Sequence, residues 1–179
     1  VSKLLLSAAG IDRPGIVAGI AKALVDHKVN IEDSQMAILR GRFCMLLMLD
    51  ASPEEDIDRL DADLQRAGEQ LGLDAVSLAE LSEETIMPQP EPSCVIAVYG
   101  IDHPGIVHAI TSKLAAADIN ITDLQTRLIP NQDPPIYAMV IEAALPDGLG
   151  LDDVEQLLTD VAIENEVELS VRELEVDLL

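Results

Sequence analysis

Apolar positions along the chain alternate between two periods, and the alternation occurs twice. Residues 3–9 form a short apolar run closed by Gly10, which predicts a first strand. Ile16, Val17, Ile20 and Leu24 then recur at helical spacing and predict a helix over residues 14–28, with Pro14 at its first position. Two β-rich runs, 29–39 and 42–50, flank Arg40-Gly41 and read as a hairpin. Ser52-Pro53-Glu54-Glu55 carries the signs of a helix start: an N-cap serine, a first-turn proline and a glutamate three residues on. Ile57, Leu60, Leu64, Ala67 and Leu71 give that second helix its apolar stripe, and residues 73–81 predict a closing strand.

The same order follows from Cys94. Residues 94–99 predict a strand, 104–118 a helix, 119–129 and 136–145 a hairpin pair, 151–164 a helix and 166–176 a last strand. Each half is thus βαββαβ: an α+β, ferredoxin-like unit with one antiparallel sheet and two helices on one face.

Residues 10–38 align with residues 100–128 without a gap, at an offset of 90, with 13 identities in 29 positions. That density marks a duplication. Between the copies, Pro88, Pro90 and Pro92 fix φ and remove donors, which predicts an extended linker. The expected organisation is unit 1 over residues 1–86, a Pro-rich linker over 87–93 and unit 2 over 94–179.

The identities concentrate at one junction. Asp12, Gly15, Ile16, Asn30 and Ile31 recur as Asp102, Gly105, Ile106, Asn120 and Ile121. Glycine permits close backbone approach, and the unbonded N–H groups of a helix start suit a carboxylate. An aspartate suits an ammonium group, and an asparagine both donates and accepts. Together these ten positions are the candidate ligand-binding residues for a free amino acid. Asp, Pro and Gly before a helix are equally ordinary turn chemistry. Asp33/Asp123 and Gln35/Gln125 are shared too, as exposed strand positions or as site-lining groups.

Composition narrows the function. Half the residues are hydrophobic (49%) and only 2% aromatic, so the cores are aliphatic. The net charge of −22 and the lack of a basic cluster argue against direct nucleic-acid binding. No apolar run reaches the ~20 residues of a membrane-spanning helix, and no signal peptide is evident. Cys44 and Cys94 lack partners at metal or redox spacing and are expected to be buried thiols of a reducing compartment. No nucleophile motif or phosphate loop appears. His103 and His108 have no counterpart in the first copy, and a metal site from them with Asp102 is a weaker option than none. The chain is therefore expected to be no enzyme, to need no cofactor and to reside in the cytoplasm.

The two segments Asp-Arg-Pro-Gly-Ile-Val with Val-Asn-Ile, and Asp-His-Pro-Gly-Ile-Val with Ile-Asn-Ile, resemble the ACT domain. A chain of two such units is similar to the glycine cleavage system transcriptional repressor family. The resemblance implies a small-amino-acid ligand of the glycine or serine class, bound between units, and sheets that pair into homo-oligomers. It implies that polar residues at Asp12 and Asn30, matched by Asp102 and Asn120, contact the ligand. Some members carry Asn where this chain has Asp12 and Asp102. The repressor family acts through a partner transcription factor. The alternative is a regulatory fragment of an enzyme such as a phosphoserine phosphatase or formyltetrahydrofolate hydrolase, in which ACT units also occur.

Overall fold

The computed structural model describes residues 2–82, 90–129 and 135–174. Residue 1, residues 83–89 (which include 87–89 of the predicted linker), residues 130–134 of the predicted second hairpin connection and the last five residues lie outside that description. Two compact units, Val1–Met87 and Pro88–Leu179, emerge.

Unit 1 runs β1 (Ser2–Ile11), α1 (Ile16–Asp26), β2 (Asn30–Leu39), β3 (Arg42–Ala51), α2 (Ile57–Leu71) and β4 (Leu73–Leu81). Unit 2 runs β5 (Cys94–Ile101), α3 (Ile106–Ala116), β6 (Asn120–Ile129), β7 (Ile136–Ala144), α4 (Leu151–Glu164) and β8 (Val167–Glu173). The strand orders are β2-β3-β1-β4 and β6-β7-β5-β8, antiparallel throughout. Each unit is the ferredoxin-like α+β arrangement that the periodicity predicts.

Alternation on the central strands makes each core. Leu4, Leu6 and Ala8 of β1 point inward with Phe43, Met45, Leu47 and Leu49 of β3. The helix stripes Ile16, Ile20, Leu24 and Leu60, Leu64 cover them. Ile106, Ile110, Leu114 and Val154, Leu158 do the same in unit 2. Each fully buried aliphatic side chain contributes ~1.5–3 kcal/mol. The edge strand β2 is exposed along its whole length.

Three local expectations change. Helices α1 and α3 begin at Ile16 and Ile106, because Pro14-Gly15 and Pro104-Gly105 form a turn ahead of them. Helix α2 begins at Ile57 with Asp56 as its N-cap, its carboxylate accepting from Arg59 N at 3.1 Å. Ser52 instead shapes the preceding turn, its hydroxyl accepting from Glu54 N at 3.3 Å. Finally, Cys94 is buried but Cys44 is exposed. Cys44 opposes Ala9 on the sheet face turned away from the helices, so only one thiol fits the buried expectation.

Both first helices end alike. Val29 N donates to Leu24 O at 2.9 Å and Ile119 N to Leu114 O at 3.0 Å, with Lys28 and Asp118 left-handed between. This closure satisfies the last carbonyls and turns the chain directly into β2 or β6.

Candidate functional site

The turn into α1 is set by backbone geometry. Gly15 has φ 97° and Gly105 φ 110°, values that side-chain-bearing residues avoid. A methyl group there would meet nothing within 4 Å, so dihedral angle alone requires glycine. Gly10 and Gly100 are required for the opposite reason. A Cβ on Gly10 would lie 2.9 Å from Leu73 Cα, and one on Gly100 3.1 Å from Glu166 O.

The first helical bond of α1 is Gly19 N to Gly15 O at 2.9 Å, and that of α3 is Ala109 N to Gly105 O at 2.9 Å. Neither helix has a side-chain cap. The N–H groups of Ile16, Val17 and Ala18 precede that bond, and so do those of Ile106, Val107 and His108. Ile16 and Ile106 offer only backbone here, since their side chains are buried in the cores. The Asp12 and Asp102 side chains are exposed and have no hydrogen-bond partner among the described residues. Asp12 is fixed through its backbone, donating to Gly41 O at 2.9 Å.

Asn30 does not join Asp12 within its own unit, whereas Ile31 lines a cleft with Val17 of the first turn of α1. Asp12 follows Ile11, which pairs with Arg42 at the β2–β3 turn. Asn30 pairs with Asp50, which pairs with Lys3 at the other end of the sheet. Eight rungs separate Ile11 from Lys3, ~26 Å at ~3.3 Å per residue. Asn120 pairs with Ala144, likewise at the far end from Ile101. One amino acid, whose ammonium and carboxylate share a carbon, cannot reach both ends of one unit. Asp33 and Gln35 share the register of Met48 and Leu46, so they face away from the helices. Asp123 and Gln125 do the same opposite Glu142 and Val140.

The Asn30 end carries charges that the sequence comparison passed over. Lys3 Nζ lies 2.5 Å from Glu32 and 2.6 Å from Asp50. The carboxylates hold the Lys3 ammonium above its ordinary range, and Lys3 holds the Asp50 carboxyl below its own. In unit 2 the equivalent position is Ser93, whose hydroxyl accepts from Leu145 N at 3.1 Å. The charged wall is specific to one copy, so a search for shared residues could not find it.

The Asp12 end also differs between copies. Arg13 lays its guanidinium against Gly72, at the end of α2. His103, in the same position of unit 2, places Nε2 3.0 Å from Asn165 O at the end of α4 and Nδ1 3.1 Å from Pro104 O. Both side chains lie at helix C-termini, where a positive charge is favoured. His108 instead lies beside Ser112 Oγ at 3.2 Å. The two histidines diverge, and no cluster of three metal-ligating side chains exists among the described residues.

Residues 2–77 match the model of the ACT domain. The glycine cleavage system transcriptional repressor of Escherichia coli is 30% identical over 157 residues, spanning 86% of this chain and 80% of that protein. The chain belongs to this tandem ACT-domain family. It is a regulatory ACT protein related to that repressor. A solved structure from Galdieria sulphuraria, 29% identical, superposes with a TM-score of 0.78 over 97% of this chain and 98% of that one. A phosphoserine phosphatase of Mycobacterium tuberculosis is 23% identical over 95% of this chain, a stretch that fills 40% of that enzyme. No helix among the described residues is long and apolar enough to cross a membrane.

Proposed function

We propose that this ACT protein is a non-catalytic sensor of a small amino acid, of the glycine or serine class, that acts through protein contact as a transcriptional co-repressor in the cytoplasm. Its ligand niche is shared by ACT units of two chains. One unit supplies Asp12 for the ammonium and the N–H groups at the start of α1 for the carboxylate; another supplies Asn30. Asp102, Gly105, Ile106 and Asn120, Ile121 have the corresponding roles in unit 2. The observation that carries this reading is the ~26 Å between the two ends of one sheet, set by the pairing of Ile11 with Arg42 and of Asn30 with Asp50. An exposed edge strand β2 is available for the pairing of units.

Calorimetry with glycine and serine tests the proposal. Asp102→Ala and Asn120→Ala should each remove the same site, and an equimolar mixture of the two variant chains should regain part of it. If neither amino acid gives heat or raises the melting temperature, the sensing reading falls.

The phosphatase match supports a second reading, a regulatory portion of an enzyme. Sequencing the gene beyond the codon for Leu179 decides between them: an open frame encoding a catalytic domain favours the enzyme.

A further inference from the structure

Unit 1 holds a cleft between α1 and β2 that follows from where the chain changes direction. Val17, in the first turn of α1, lines one end of it. Ala21, Ile31, Met36 and Leu47 form its walls, and Ser34 lies between them. No charged residue lines it, and its volume is about 150 Å³. That is about five times the ~30 Å³ that a water takes in the liquid. The space suits an uncharged group of about four or five heavy atoms.

Register fixes which β2 side chains can enter it. Ser34 opposes Leu47 and Met36 opposes Met45, both of them core-facing. In unit 2 the same register puts Leu124 opposite Ile141. The small Ser34 is thus replaced by Leu124, which carries three more carbons' worth of branched bulk toward the same helix–strand gap. Among the other lining positions, Val17, Ile31 and Leu47 correspond to Val107, Ile121 and Ile141, and Ala21 and Met36 to Thr111 and Thr126.

We infer that Ser34 and Leu124 set the ligand class of the two niches, so that unit 1 takes an amino acid with an aliphatic side chain while unit 2 admits only one of glycine or serine size. This rests on the amino-acid-sensing reading. A carboxylate held by the N–H groups of Val17 and its neighbours directs the side chain of its α-carbon along α1. In unit 1 that path enters the apolar cleft. In unit 2, the register puts the branched Leu124 side chain at the position of Ser34. An unfilled cleft lined by Val17, Ile31 and Leu47 gains from each methylene that enters, whereas serine would bring a hydroxyl to walls whose polar groups are Ser34 and Gln35 alone.

The test is calorimetry on the full chain with leucine and with glycine as separate titrants. The wild type should bind leucine at one site per chain and glycine at a second that leucine does not compete for. Ser34→Leu should weaken leucine binding by about tenfold or more and spare the glycine site. Ser34→Val, which narrows the cleft without crossing it, gives an intermediate loss and guards against misfolding of the larger variant. Leu124→Ser should add a second leucine site. Equal leucine affinity in the wild type and Ser34→Leu overturns the inference, as does competition between leucine and glycine for one site. So does a Ser34→Leu chain that keeps its leucine site but changes its oligomeric state, since the cleft then seats a second copy. Heat from glycine alone leaves the sensing function standing and removes this assignment; heat from no amino acid removes both.

Discussion

His103 holds two backbone carbonyls at once: Asn165 O lies 3.0 Å from Nε2 and Pro104 O 3.1 Å from Nδ1. Only the doubly protonated ring donates to both. The Asn165 carbonyl, then that of Pro104, raises the imidazole above its ordinary range, and the charges of Asp102 and Glu166 add to the effect. A raised folded-state value means that the contribution is complete below the unfolded value near ~6.5 and is lost as pH rises through the folded value. The melting temperature should therefore fall as pH rises above about 6.5, and His103→Gln should flatten that part of the profile. Arg13 does the matching work in unit 1. Thermal melts of both chains over pH measure the difference.

His27 closes α1 and reaches into unit 1, with Nδ1 2.6 Å from Glu55 and Nε2 2.9 Å from Asp63. Asp63 also pairs with Arg66. The ring is 9% exposed, so these contacts are largely screened from water. His27→Ala should cost about 1.5–3 kcal/mol, read as a lower urea midpoint at unchanged slope. Glu55→Gln, which keeps an acceptor for the ring, should cost less.

The two shared glycines of each turn should fail differently. Gly15→Ala asks alanine to adopt φ 97° and should cost ~1–2 kcal/mol. Gly15→Asn should recover part of that, because asparagine tolerates the left-handed region. Gly10→Ala meets the Leu73 backbone at 2.9 Å and should cost ~1–3 kcal/mol, with no recovery by asparagine. Melting temperatures of the three variants separate a dihedral requirement from a steric one.

The thiols should separate as well. Burial pushes the Cys94 thiol up and removes it from reagents, whereas Cys44 is exposed. A colorimetric thiol reagent should modify one cysteine of the native chain quickly and the second only on unfolding. Two fast equivalents would contradict the fold of β5.

Much of this architecture can be read from the chain without coordinates. Ile16, Ile20 and Leu24 announce a helix, and Leu4, Leu6 and Ala8 a strand, because burial imposes those periods. Helix starts are less legible. Ser52 and Asp56 are both competent caps, and only tertiary packing selects Asp56. Cys44 and Cys94 sit in similar apolar runs, yet Cys44 faces outward by strand parity. The site was half legible. Duplication marks Asp12, Gly15 and Asn30, but co-location is another matter. The chain from Asp12 to Asn30 descends through α1, and only strand register reveals that it ends at the opposite end of the sheet. Lys3, Glu32 and Asp50 escaped notice because the second copy does not repeat them.

Strand β2 presents Met36, Ile38 and Leu39 at 50–69% exposure along an open ladder of backbone groups. Such an edge will accept any extended partner, a wrong one included. What keeps random collisions from growing into aggregates is the long-range repulsion between chains carrying −22. That barrier is set by the buffer. Its range shrinks from ~10 Å at 0.1 M salt to ~3 Å at 1 M, so concentrated salt or acid exposes the edge to chemistry that the fold leaves unguarded. The colloidal life of this protein in the test tube is governed by its acidic surface at least as much as by its aliphatic cores.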